Sequence, residues 1–574
     1  MGFLSLLPSI FPWSTTVSTL SEIKQRLNHV DQQINAISEC SGVPGVSVGV
    51  VHQKEVIHIH NHGYSNVEKQ QAIDRDTVFG IGSNTKPFIA AAIGCLVSQE
   101  RLKWDTPVRD ILPEFEQQNP IVAKLLTVGD ILSHRSGLSG LGDMSLAFQG
   151  DGDMMLPKGD LFSLVKRFPS SAPFRTNWNY FVWGYSLAGE IIEKLSGKSV
   201  PDFLSESIFK PLKLDSTTFN PDSLKAGQLA EPYAGLSDGT SFHLPKRQAF
   251  YNTFFEASGG IYSSLNDMID WSSAMLDAIQ DDKKPEDSVI KEVESIISNH
   301  AVIDNPSLRD RSYGYGWVRT QLPGVVGVIG DNADLWDIKD APVLGCKEHP
   351  LLMFYHQGST VGYYSFVALF PDTNSAVVVL INSIALSDAA DWIARAVIQA
   401  LFNLNDGNDY VSLAKEANAR AIKQYELLGN EIVKEQINCS SMSPAELGSF
   451  VGTYTSEEKP FTIEIVPHPE HEDRLSLRFQ GLKDQTYDLR HHCDDTFEWS
   501  LTHDESKKRG RYNNAELSTY LFHFHVNEKG QATEFSWHND PVVPGHKDVF
   551  VREDTYAQEE STTESEGALT PDEL

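Results

Sequence analysis

The sequence predicts a mixed α/β (α+β) chain: an antiparallel sheet flanked by helices with a helical subdomain, then a small C-terminal antiparallel β-barrel. Three observations carry this. Runs rich in β-branched and aromatic residues occur near the start of the chain and again at 351–383, each beside an amphipathic helical stretch, so strands from both ends share one sheet. From Ser443 onward, short segments alternate apolar and polar residues with turn signals between them. The length, 574 residues, exceeds what a single hydrophobic core organises.

Leu20, Ile23, Leu27, Val30, Ile34 and Ile37 recur at helical spacing, predicting an amphipathic helix over 14–39. GVPGVSVGVVHQ and KEVIHIHNHGYS read as two strands around a tight turn. In FGIGSNTKPFIAAAIGCLV, residues 79–97, Pro87 has no N–H to give and belongs in a first helical turn. The apolar run Phe88 to Val97 then reads as a buried helix starting near Ser83, a good N-cap residue. LLMFYHQG, YYSFVALFPD and SAVVVLINS read as three antiparallel strands, followed by a helix over 388–403. A stretch rich in Ala, Lys and Glu, 407–437, reads as a helical connector. FTIEIV, RLSLRF, TYDLR, TFEWSL, YLFHFHV, ATEFSWH and DVFVRE are the expected barrel strands. The tail beyond Glu553 is acidic and Ser/Thr-rich without a basic residue, the composition of a disordered segment. The expected division is an N-terminal extension with the start of the first helix (1–30), a main domain (31–405), a helical linker (406–443), a barrel (444–553) and the tail (554–574).

A formal charge of −31 argues against nucleic acid or anionic membrane as a partner, because like charges repel. No stretch is long and apolar enough to span a bilayer. The five cysteines, Cys40, Cys95, Cys346, Cys439 and Cys493, are scattered and show neither paired spacing nor a zinc pattern. They read as small apolar side chains in a reduced compartment. The opening MGFLSLLPSIFPW lacks an early basic residue and is broken by Pro8 and Pro12, so it is a poor secretory signal. Its residue 6 is Leu where myristoylation wants Ser or Thr. The expectation is a cytoplasmic protein. The secretory alternative would draw on that apolar start, the final PDEL and the sequon Asn438-Cys439-Ser440.

Ser83 and Lys86 form a Ser-x-x-Lys pair, a spacing that recurs six more times, as at Ser21/Lys24 and Ser412/Lys415. Spacing alone therefore says little. A lysine at i+3 reaches the serine hydroxyl from the same helical face. It serves as a base only if burial or a neighbouring positive charge or dipole lowers its pKa. A helix N-terminus favours negative charge, so the Ser83 N–H is a candidate oxyanion donor.

The surroundings decide. TVFGIGSNTKPF, LTVGDILSHRSGL, NYFVWGYSLAGEIIEKLSG, IFKPLKLDSTTF, SGGIYSSLNDMIDW, YGYGW and YHQGSTVGYYSFVALFPDTNSAVVVLINS follow one another in this order. The series resembles the serine β-lactamase and penicillin-binding-protein superfamily, nearest to its class C β-lactamase, D-aminopeptidase and esterase branch, over residues 40–405. The resemblance implies a β-lactamase/transpeptidase-like domain in which Ser83 is acylated and Lys86 is its partner. Tyr180 matches the tyrosine of the Tyr-x-Asn element and would relay the proton. His356, Gln357 and Gly358 match the Lys-Thr-Gly element in its His-x-Gly form. There Gly358 lets substrate approach the backbone and Ser359 supplies the second oxyanion N–H. His134 and Ser136 fall in a segment that the resemblance makes structural. Val182 stands where the element has Asn; it offers no hydrogen bond to a substrate amide. That departure favours an ester, thioester or small acyl substrate over a β-lactam or D-peptide.

The C-terminal segment resembles the lipocalin-like barrel appended to some members, expected here in a structural role rather than as a ligand cup. The implied function is a serine hydrolase or acyltransferase acting on a small-molecule acyl substrate, in secondary metabolism by analogy with fungal members, with no metal or cofactor. The alternatives are a β-lactamase or D-stereospecific peptidase, and a non-catalytic binding protein on the same fold.

Overall fold

The computed structural model describes residues 18–553 apart from 141–153, 246–249, 281–287, 304–308, 348–349, 406, 438, 440–441, 457–460, 513–515 and 541. The expectations for the N-terminal stretch, for Asn438 and Ser440 of the sequon and for the acidic tail lie outside the described residues.

Helix α1 (Leu20–Cys40) starts at Thr19, which exchanges hydrogen bonds with Glu22 in a capping box. Its buried stripe is the one its spacing predicts. Strands β1 (Gly45–His52), β2 (Glu55–Asn66) and β3 (Gln71–Ala72) follow, then helices α2 (Thr85–Ser98), α3 (Trp183–Ser196) and α4 (Leu265–Ile279). Strands β4 (Ala301–Val302), β5 (Arg311–Tyr313), β6 (Val318–Leu322), β7 (Leu351–Thr360), β8 (Tyr363–Phe370) and β9 (Ser375–Ile381) lead to helices α5 (Ala389–Phe402) and α6 (Tyr410–Gln436). The nine strands form one antiparallel sheet in the order β3-β2-β1-β9-β8-β7-β6-β5-β4. The N-terminal hairpin thus pairs directly with the last strand, from Val46 opposite Ile381 to His52 opposite Ser375.

Both faces of this sheet are covered, which is why β9 is apolar at every position from Ala376 to Ile381. Val377, Val379 and Ile381 pack on the side of α1 and α5, while Ala376, Val378 and Leu380 pack on the side of α2 and α4. Helix α2 is buried on all sides from Thr85 to Leu96. Strands β4 to β6 had no sequence signal, being two to five residues long and broken by Gly314 and Gly316.

The C-terminal segment closes into an eight-stranded antiparallel barrel: β10 (Gly452–Ser456), β11 (Thr462–Pro467), β12 (Leu475–Phe479), β13 (Thr486–Cys493), β14 (Thr496–Glu498), β15 (Leu521–Val526), β16 (Ala532–Trp537) and β17 (Asp548–Arg552). Seven of these match the expected runs. The eighth, β10, is GTYTS, too polar to announce itself, and it closes the barrel by pairing with β11 and β17. Among the described residues no helix is long and apolar enough to cross a membrane.

The cysteine expectation is corrected at two positions. Cys439, just past α6, and Cys493, the last residue of β13, form a disulfide across 54 residues of sequence. Their pairing is set by how the barrel packs on the helix, which spacing cannot reveal. Closing a loop of this length is worth about 4 kcal/mol in chain entropy. The cysteines therefore no longer support a reduced compartment, since disulfides persist in oxidising ones. Cys95 is buried among apolar side chains as expected.

Candidate active site

The turn that carries Ser83 is shaped by two glycines. Residues Gly82–Asn84 make one tight 3-10 turn and α2 begins only at Thr85. Gly82 has φ +51°, and a Cβ there would stand 2.5 Å from both the N and the O of Ser359. A Cβ on Gly358 would stand 2.0 Å from the Ile81 carbonyl oxygen. The Ser83 turn thus lies directly against β7. Asn84 Nδ2 donates to Ser365 Oγ at 2.8 Å, and Ser365 Oγ donates to the Ile81 carbonyl at 2.8 Å, fastening the turn to β8.

Ser83 is not the helix cap its sequence context suggested. It precedes the cap position, and its Oγ accepts a hydrogen bond from Lys86 Nζ at 2.9 Å. The Tyr180 hydroxyl bonds the Ser83 hydroxyl as well. Lys86 also donates to the Ser258 carbonyl at 2.8 Å and is completely buried. Its Nζ lies 5.1 Å from the ring centre of Tyr180 and 5.3 Å from that of Tyr185. Burial pulls the Lys86 pKa down to about 7. At pH 7 the neutral fraction therefore rises from about one in three thousand to about one half. Burial holds the Tyr180 phenol far above its ordinary value, so it is a hydroxyl donor and relay rather than a standing phenolate.

His356 faces the same chamber but as a neutral ring. Its Nδ1 meets the Gln357 carbonyl and its Nε2 meets the Tyr313 hydroxyl at 2.9 Å, which assigns the proton to Nδ1. Burial, reinforced by Lys86, lowers its pKa to about 3. The Tyr313 hydroxyl thus donates to His356 and lies beside that of Tyr185, which donates to the Leu132 carbonyl at 2.9 Å. This pair of tyrosines was not legible as a pair in the sequence, although NYFVWGYSLAGEIIEKLSG held Tyr185 and YGYGW held Tyr313. In that motif Gly316, at φ +78°, would place a Cβ 2.8 Å from the Pro87 nitrogen, so only glycine lets the loop meet the start of α2.

His134 lies beneath Tyr180, ring centres 4.5 Å apart, and accepts from the Phe181 N–H at 3.0 Å. It positions the Tyr180 segment. Ser136 is buried, and its Oγ accepts from the Leu138 N–H at 3.1 Å within its own loop. Val182 opens α3 and packs half-buried on the apolar core. Gln357 points to the other face of the sheet, where its Nε2 donates to Asp388 Oδ2 at 2.6 Å, and so lies away from Ser83.

Strand β6 pairs with β7 only from Leu351 to Tyr355, so from His356 onward that edge of β7 is left without a strand partner and the Ser83 turn lies against it. The N and O of Ser359 both face the Gly82 position, away from β8. An N–H on a strand edge without a strand partner, beside the Ser83 turn, can hold a developing oxyanion together with the Ser83 N–H. Among the described residues, no group of three or more His, Cys, Asp or Glu side chains could hold a metal ion.

Comparisons with known proteins bear on the family and the fold. The chain is 27% identical over 359 residues to "Unguisins hydrolase ungD'" of Aspergillus campestris, covering 61% of this chain and 60% of that protein. It is 27% identical over 312 residues to "Penicillin-binding protein 4" of Amycolatopsis lactamdurans (53% and 78%) and 24% identical over 300 residues to a D-aminopeptidase of Cereibacter sphaeroides (52% and 54%). The chain thus spans about three fifths of the length of the first of these relatives. A solved structure, the octameric penicillin-binding protein homologue from Pyrococcus abyssi, superposes with a TM-score of 0.52 at 20% identity, over 93% of this chain and 100% of that one, and shows the shared fold. Residues 438–552 match a domain of unknown function (DUF3471). The Beta-lactamase family profile matches residues 30–400, and the chain belongs to that family.

Proposed function

We propose that this chain is a serine hydrolase or acyltransferase that works through an acyl-enzyme on Ser83, with an ester, thioester or small acyl group as substrate. The observation that carries this reading is the Ser83 hydroxyl held by both Lys86 Nζ, at 2.9 Å, and the Tyr180 hydroxyl. Neutral Lys86 takes the Ser83 proton as Oγ bonds to the acyl carbon. The carbonyl oxygen becomes an oxyanion between the N–H groups of Ser83 and Ser359. As the oxyanion collapses, the bond to the leaving group breaks and the leaving group takes the proton from Lys86 through Tyr180. Water, or another acceptor, then gives its proton to Lys86 as its oxygen bonds to the acyl carbon; the bond from that carbon to Ser83 Oγ breaks, and Lys86 returns the proton to Oγ, restoring the Ser83 hydroxyl.

The absence of a hydrogen-bonding side chain at Val182 supports esters and small acyl groups over amides. A second reading, a D-stereospecific peptidase, draws on the relatives named D-aminopeptidase and penicillin-binding protein. A panel of p-nitrophenyl esters, D-amino-acid p-nitroanilides and nitrocefin separates the two. Intact mass spectrometry with an activated acyl ester should give a single adduct on the native chain and none on Ser83→Ala. An adduct on both forms would overturn the assignment.

A further inference from the structure

The barrel touches both lips of the Ser83 cleft. On the sheet side, Tyr512 lies in the segment between β14 and β15, and its hydroxyl bonds the side chain of Ser359, the residue that faces Ser83 across Gly82. On the helical side, Ser139 Oγ donates to Asp540 Oδ2 at 2.7 Å, and both residues are buried. Ser139 adjoins the Tyr180 segment, since Asn179 Nδ2 donates to the neighbouring Leu138 carbonyl at 3.3 Å. Behind these contacts, Asp504 accepts from the Ser237 N–H at 2.8 Å and its hydroxyl at 2.9 Å, and Tyr425 of α6 donates to Ser506 at 3.3 Å. Ser83 itself is only partly exposed between these two lips.

We propose that the barrel is a roof over the cleft, pinned by Tyr512 on one lip and Asp540 on the other, that confines the enzyme to short or terminal acyl groups. The proposal rests on the Ser83 reading above and adds the size limit to it. The Ser359 hydroxyl lies next to an oxyanion donor, where an extended acyl chain would run along the part of the β7 edge that β6 leaves unpaired. Here the Tyr512 phenol occupies it. A short acyl group reaches Ser83 without displacing that contact. A long or branched one must push the roof off at least one pin, losing a hydrogen bond and leaving buried polar groups unpaired.

The test compares kcat/KM for p-nitrophenyl octanoate and p-nitrophenyl acetate in the full chain and in Tyr512→Ala, Tyr512→Phe and Asp540→Ala. Circular dichroism and thermal melting check each variant's fold. Ser83 labelling by a small alkyl fluorophosphonate is followed by intact mass in parallel. The octanoate-to-acetate ratio should rise about tenfold or more in Tyr512→Ala, Tyr512→Phe and Asp540→Ala, since each removes one pin. A ratio unchanged within twofold in folded Tyr512→Ala and Asp540→Ala overturns the roof while leaving the nucleophile standing. A ratio that falls also overturns it, because the barrel would then be gripping long substrates rather than excluding them. No labelling of Ser83 in the native chain overturns the nucleophile and, with it, this inference.

Discussion

Among the described residues two lysines are completely buried, and they have opposite surroundings. Lys86 stands at the start of α2 with its ammonium nitrogen bonded to Ser83 and Ser258. Lys507 stands in the short helix His503–Lys508 of the barrel, facing the charge of Asp331 but with no hydrogen-bond partner on Nζ among the described residues. Burial lowers both, to about 7 and about 8. A displaced lysine pKa is therefore not a signature of catalysis. What separates the two is whether a hydroxyl with a route to the cleft lies within hydrogen-bond range.

The largest effect should come from Lys86→Met. We expect a loss of about 10²- to 10⁴-fold in kcat/KM with the fold intact. In the native enzyme kcat/KM should climb with pH through about 7, as Lys86 sheds its proton, and that limb should be missing in the variant. Retention of the limb would move the base elsewhere. Next comes Tyr180→Phe, which keeps the ring above Lys86 but removes the relay. A loss of about tenfold to a few hundredfold is expected, mainly in kcat, and an unaltered kcat would remove Tyr180 from proton transfer.

The smallest effect sharpens the contrast. Lys507→Met should leave the limb near 7 in place and stabilise the protein by about 1 to 3 kcal/mol in urea titrations at pH 7. The sign follows from its lowered folded-state pKa. Between about 8 and the ordinary 10.5 the unfolded chain binds more protons, so the native protein gains stability as pH rises through that window. The advantage of Lys507→Met should thus be full below about 8 and fade toward 10.5. A destabilised variant would show that the buried ammonium has a partner worth keeping.

The legible part of the site is the part written in local sequence. Gly82, Ser83, Lys86 and Pro87 lie within six consecutive residues, and HQGS is one stretch of one strand, so spacing and composition expose them. Tyr185, Tyr313, Asp331, Tyr512 and Asp540 join the site or its walls only through tertiary contacts, as with Ser139 and Asp540, 401 residues apart. No periodicity encodes such a meeting. The fold divides the same way. Long strands buried on both faces, such as β8 and β9, announce themselves, whereas β4 to β6 and the polar β10 take their pairing from neighbours already in place. The Cys439–Cys493 bond belongs to that second class.

The junction of β1 with β9 has a consequence for biosynthesis. Val46, Val48 and Val50 emerge from the ribosome early, yet the backbone that satisfies their outer edge, Val377 to Ile381, is more than 300 residues away. Until that segment is translated, the hairpin offers a bare, apolar template to any passing chain. Contacts of such sequence separation form slowly. The nascent hairpin therefore stays exposed while more than 300 further residues are made, a window in which chaperone shielding would protect it.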